Sequence, residues 1–174
     1  MTTYVALLRA VNVGGTGKLS MTDLKRICVR AGLDVIGTYI QSGNLILRSS
    51  ETAGEVKTTL ESVLCDAMGK PIQSSIRTAA EMHGVLRANP FANADPRLTY
   101  AFFFDVKPSR QALAEVRRQT DEEIRPGKRE IYVHYPSGMG RSKLVIPAAA
   151  TGTARNMNTV AKLVAMSAAV EDTP

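Results

Sequence analysis

The strongest constraint on this chain is the order in which strand-like and helix-like apolar patterns succeed one another between Tyr4 and Arg77. Residues 4–9 are a short apolar run that reads as a strand. After a Gly-rich stretch, Ser20 and Asp23 stand at capping-box spacing. Met21, Leu24, Ile27, Cys28 and Ala31 then form one helical stripe, which Gly32 ends. Residues 34–39 and 44–48 are two β-rich runs around Gln41-Ser42-Gly43, a hairpin signal. Val56, Leu60, Val63, Leu64 and Ala67 predict a helix over 53–68 that Gly69 stops. Residues 72–77 return as a strand, and Thr78 with Glu81 caps a third helix that Pro90 terminates. The order is β-α-β-β-α-β plus a helix. That is the split βαβ, ferredoxin-like unit, an antiparallel sheet covered on one face by two helices.

The pattern restarts less regularly after residues 89–97, which hold two prolines, two asparagines and no periodicity. Residues 98–106 predict an apolar strand, and Ser109 predicts the cap of a helix carrying Leu113, Val116 and Arg117. Residues 125–128 read as a turn and 130–135 as another strand. A loop over 136–140, a short helix over 142–150 broken near Pro147, and an extended return over 151–153 follow. A last helix over 156–169 would bury Met157, Val160, Ala161, Val164 and Ala168. The fold class predicted is α+β: two ferredoxin-like halves with antiparallel sheets, residues 1–90 and 91–174, plus a C-terminal helix. No residue-level repeat between the halves is visible in the sequence.

Composition bounds function more loosely. With 44% hydrophobic and 22% charged residues among 174, the chain can bury a real core, which excludes disorder. The net charge of +6 is local: residues 125–162 hold seven basic residues and one acidic residue, and the rest of the chain balances. The opening apolar run is too short for a signal peptide, and no stretch approaches the ~18 apolar residues of a membrane span, so no membrane partner is expected. Cys28 and Cys65 sit in predicted helices with only His83 and His134 to help them, too few for a tetrahedral zinc site. The expectation is a cytoplasmic protein with reduced thiols, no metal and no cofactor.

Several motifs dissolve on inspection. Gly14-Gly15-Thr16-Gly17-Lys18 lies between a strand and a helix, as a phosphate-binding P-loop would. Walker A chemistry, however, needs Gly where Asn12 stands and a Mg²⁺-binding hydroxyl where Leu19 stands. What is left is a flexible loop whose amides and Lys18 can meet an anion, or a plain connection. His134 alternates with Tyr132 on one strand face and has no spaced nucleophile or carboxylate, so it reads as a strand histidine. Asp121-Glu122-Glu123 reads as a solvated acidic turn. The five Tyr and four Phe do not form the base-stacking signature of RNA-recognition sheets, and Phe102, Phe103 and Phe104 lie in a strand too apolar to be solvated.

Four blocks point to a family. The opening Ala6-Leu7-Leu8-Arg9-Ala10-Val11-Asn12-Val13-Gly14-Gly15, the hairpin Thr38-Tyr39-Ile40-Gln41-Ser42-Gly43-Asn44, the segment Asn89-Pro90-Phe91 and the late Thr153-Ala154-Arg155-Asn156-Met157-Asn158-Thr159-Val160 together resemble the domain-of-unknown-function 1697 family of bacterial proteins. The resemblance implies a cytosolic α+β protein of two ferredoxin-like halves and brings no activity or catalytic residue. The chain departs from the family's pattern at Ala154, where a second Thr is usual, and at Met157, where an aromatic is usual.

Arg155 and Asn156 fall where the last helix should begin, and two readings stand. The helix terminus and a guanidinium can together bind carboxylate or phosphate. Alternatively Thr153 or Asn156 caps while Arg155 locks the helix to the sheet. The leading functional expectation is binding of a small anionic or phosphorylated ligand by Arg155, Asn156 and Lys143, with Lys18 and Arg9, and with the hairpin residues Gln41, Ser42 and Asn44. The alternatives are electrostatic nucleic-acid binding by the basic block, and an enzyme of unassigned class using Gln41, Ser42, Asn44 and Asn158.

Overall fold

The structure is a computed structural model that describes residues 1–12 and 19–171. It contains two four-stranded antiparallel sheets. In chain order the first sheet's elements are β1 (Thr2–Leu8), α1 (Met21–Arg30), β2 (Asp34–Tyr39), β3 (Asn44–Ser49), α2 (Ala53–Met68), β4 (Ser74–Thr78) and α3 (Ala79–Arg87). The second set is β5 (Thr99–Phe103), α4 (Arg110–Ala114), β6 (Glu123–Pro126), β7 (Glu130–His134), β8 (Thr153–Asn156) and α5 (Met157–Glu171). Strand order is β2-β3-β1-β4 in one sheet and β6-β7-β5-β8 in the other, the same split βαβ order twice. The chain forms two compact units, residues 1–82 with 163–174, and residues 83–162. Among the described residues no helix is long and apolar enough to cross a membrane.

The first unit follows its sequence signals closely. Ser20 accepts from the Asp23 backbone N–H at 3.0 Å to start α1, and Thr52 with Glu55 completes a capping box on α2. Such caps contribute about 1 kcal/mol each. Gly69 closes α2 at φ 66°, in the left-handed region that Gly adopts without strain. Tyr4, Ala6 and Leu8 of β1 and Leu45 and Leu47 of β3 face Leu24 and Cys28 of α1 and Val56, Leu60 and Leu64 of α2. Each fully buried Leu is worth about 1.5–3 kcal/mol.

The later half of the chain departs from expectation in four places. The predicted helix over 142–150 is absent: residue Val145 makes a β-bridge with Arg117, and a 3-10 turn runs over Pro147–Thr151. Pro147 sits at the first turn, where its missing N–H costs nothing. The helix after Ser109 stops at Ala114, and Val116 joins the core beyond it. An edge strand, β6, occupies residues read as a turn. Finally, α5 buries Met157 and Val160 of the expected stripe together with Leu163 and Ser167, whereas Val164 is half-buried and Ala161 and Ala168 are exposed. Because α5 is small or apolar on several sides, periodicity alone admits more than one stripe.

A residue-level repeat does exist, and register reveals it. In the first sheet Arg77 of β4 pairs with Val5, which pairs with Ile46 of β3. In the second, Arg155 of β8 pairs with Ala101, which pairs with Tyr132 of β7. Each arginine is buried and is followed by a cap: Thr78 Oγ1 accepts from Glu81 N at 3.1 Å, and Asn156 Oδ1 from Thr159 N at 2.9 Å.

Candidate functional site

One end of the first sheet gathers several of the sequence-selected polar residues. The chain leaves β1 at Leu8, whose N–H donates to Gly43 O of the β2–β3 hairpin at 2.8 Å. Asn44, fully buried, closes that hairpin by donating to Tyr39 O at 2.8 Å and to Ser42 Oγ at 3.2 Å. Turn chemistry therefore accounts for Ser42 and Asn44. Gln41 is exposed, and its carbonyl accepts from Asn12 Nδ2 at 2.9 Å. Asn12 also clamps Leu19, accepting from its N–H at 2.7 Å and donating to its carbonyl at 2.8 Å. Arg9 donates from Nη1 to Gln73 Oε1 at 2.6 Å. Three non-glycine residues here, Ala10, Asn12 and Ile40, hold positive φ of 52°, 62° and 49°. For Ala and Ile that conformation costs about 1–2 kcal/mol apiece, and such strain clusters where structure serves a site. Gly14 to Lys18 lies outside the described residues.

The other three selected residues lie in the second unit and do not gather. Arg155 belongs to β8 rather than to a helix start. Alternation places it on the sheet face of Ala101 and Tyr132, and only 6% of it is exposed. Its Nη1 donates to Thr153 Oγ1 at 2.9 Å and Ala154 O at 2.8 Å, and burial pushes its pKa down to about 10. Asn156 is the α5 cap. Lys143 stands beside Tyr135, on the opposite face of the sheet from Arg155. The basic block is likewise dispersed. Arg125 pairs with Glu123 at 3.7 Å and lies over the Phe91 ring at 5.8 Å, and Arg129 reaches Asp105 O at 3.4 Å.

Sequence reasoning missed Glu122. Asp121 and Glu123 are exposed, as a solvated acidic turn requires, but Glu122 is 3% exposed. Its carboxylate accepts from Ser142 Oγ, from Thr120 N at 2.7 Å and from Thr120 Oγ1 at 3.2 Å. The Ser142 hydroxyl first, then the Thr120 N–H, hold its pKa below the ordinary 4.5. A carboxylate so depressed contributes stability above pH 4.5 and loses it as pH falls through the lower folded value. In acid titrations followed by circular dichroism, Glu122→Gln should therefore flatten the fall in stability below pH 4.5. Superimposable curves for variant and wild type would show that Glu122 carries none of it.

Two further reactive groups, Cys28 and His134, are constrained by their surroundings. Burial pushes the Cys28 thiol up to about 11, which keeps it protonated and unreactive. His134 Nδ1 lies 3.1 Å from Thr99 Oγ1, and since Thr99 donates to Asp95 O, the ring nitrogen is the donor.

Two split βαβ units, each with a buried arginine leading into a capped helix, define an α+β protein of duplicated ferredoxin-like halves. The chain belongs to the family described as "Protein of unknown function (DUF1697)", whose pattern matches residues 1–132. That span includes Arg9, Lys18, Gln41, Ser42 and Asn44 and stops before Lys143, Arg155 and Asn156. A solved structure, the conserved bacterial protein SP0830 from Streptococcus pneumoniae, shares the fold with TM-score 0.79 and 24% identity, covering 95% of this chain and 98% of its own. No curated protein matches the chain.

Proposed function

We propose that the protein binds a small anionic or phosphorylated ligand at the polar end of the first sheet, through Arg9, Gln41 and the backbone around Asn12, with Lys18 as a further cation. The observation that carries this reading is the Asn12 clamp. It ties the chain after β1 to the Gln41 hairpin, three residues along from Arg9 and with positive φ at Ala10, Asn12 and Ile40. Arg155 and Asn156 enter the proposal as framework, since capping and strand locking account for both. An enzyme working at the same rim would present Gln41 to its substrate, with Ser42 and Asn44 holding the hairpin behind it. The two free cysteines support a reducing, cytoplasmic setting.

Calorimetric titration with inorganic phosphate and with a nucleoside monophosphate tests the reading. Arg9→Ala should weaken binding by roughly tenfold, the loss of one charge-assisted contact. Gln41→Ala should cost less, and Lys143→Ala nothing. Affinity for phosphate should fall only gently with salt, whereas a duplex held by several cations would lose affinity steeply. Wild-type affinity in Arg9→Ala would sink the proposal, and tight, steeply salt-dependent duplex binding would favour the nucleic-acid alternative.

A further inference from the structure

The second unit contains a cavity of about 280 Å³ that the reading above leaves unused. Its wall carries two acids, Asp121 and Glu122, and two bases, Arg141 and Lys143. Ordinary surface chemistry would pair them. Instead the acids are held by hydroxyls: Ser137 Oγ donates to Asp121 at 2.5 Å, and Ser142 and Thr120 donate to Glu122. Among the described residues neither Arg141 nor Lys143 forms an ion pair. Hydroxyl donors hold the acids without bringing a counter-charge, and the two bases stand at the exposed rim. Tyr135, buried, supplies an apolar wall.

We infer that this cavity is a binding site for a small zwitterion, a free α-amino acid or a compound of that charge pattern. The ligand's carboxylate meets Arg141 and Lys143, and its ammonium group meets Glu122 and Asp121. A purely anionic ligand would bring its charge against the buried Glu122 carboxylate, and a purely cationic one would bring its charge against Arg141 and Lys143 at the rim. A molecule bearing both signs meets each part of the wall with the opposite charge. The volume lies just below that of drug-sized ligand cavities, which run from about 300 Å³ upward. That size suits a single amino acid rather than a nucleotide. The site is separate from the rim of the first sheet, so either can fail alone.

Nuclear magnetic resonance titration of the full chain with free α-amino acids is the test. Each is compared with its N-acetyl derivative, which lacks the cation, and its amide, which lacks the anion. At least one free amino acid should perturb amides of residues 120–122 and 135–143, and both blocked forms should bind roughly tenfold or more weakly, the loss of one charge-assisted contact. The double variant Arg141→Ala/Lys143→Ala should lose binding while keeping its spectrum, since both side chains are exposed. Asp121→Asn, also exposed, should weaken the ammonium contact without the folding risk of altering Glu122. Absence of any perturbation at tens of millimolar, or equal binding of an N-acetyl or amide form, overturns the inference.

Discussion

Gly43→Ala is expected to destabilise the protein by about 3 kcal/mol, measured as a shift of the urea midpoint at unchanged slope. Two costs act at the same atom. Gly43 holds φ 78°, where a side chain adds about 1–2 kcal/mol of strain. A Cβ built there also lies 2.9 Å from Leu8 Cβ and 3.1 Å from Leu8 Cδ1. Leu8 is fully buried in the first core and its N–H bonds Gly43 O, so neither partner can withdraw without loosening β1 or the hairpin. Overpacking of this kind costs about 1–3 kcal/mol. Gly84→Ala supplies the control. It lies inside α3, its Cβ meets nothing within 4 Å, and the change should stabilise by roughly 0.5–1 kcal/mol. If Gly43→Ala shifted stability by less than about 0.5 kcal/mol, the tight approach of hairpin and strand that positions Gln41 would be refuted.

What could be read before the structure depended on how many independent signals agreed on a segment. For α2 a stripe and a stop glycine coincide, and the helix runs over the expected Ala53–Met68. The hairpin around Gly43 had two flanking β-rich runs and a turn. By contrast β6 is an edge strand of four residues, mostly exposed, in the polar run Glu-Ile-Arg-Pro. It shows no alternation because there is little on either side to bury against, and only its pairing with β7 identifies it. Glu122 was misread for a related reason. A lone buried carboxylate between two exposed ones has no sequence signature, since Thr120 is a local partner of a kind any turn offers and Ser142 is supplied by tertiary packing. Of the candidate residues, Arg9 and Gln41 remain outward at one rim, whereas Arg155 moved from helix start to strand interior. A shift of one residue in the β8–α5 boundary suffices, because adjacent strand residues point to opposite faces.

That shift decides what Arg155 does. Arg155→Ala is expected to cost about 3 kcal/mol of stability, and Arg77→Ala a similar amount, because the two occupy equivalent rows of their sheets. Truncation at Arg155 removes the donor to Thr153 Oγ1, itself 7% exposed, and to Ala154 O, and it opens a void where a large side chain was packed. Hydrogen bonds from charged donors are worth about 1.5–3 kcal/mol. A void adds to that in proportion to its size. Arg77, 1% exposed, donates to Ile76 O at 3.0 Å in the same way. Exposed Arg141→Ala should change stability by less than about 0.5 kcal/mol, which separates framework arginines from surface ones. Phosphate titration of Arg155→Ala, run cold enough to keep the variant folded, should return wild-type affinity, since its guanidinium faces the interior. A variant that kept full stability but no longer bound phosphate would reverse the assignment and make Arg155 part of the anion site.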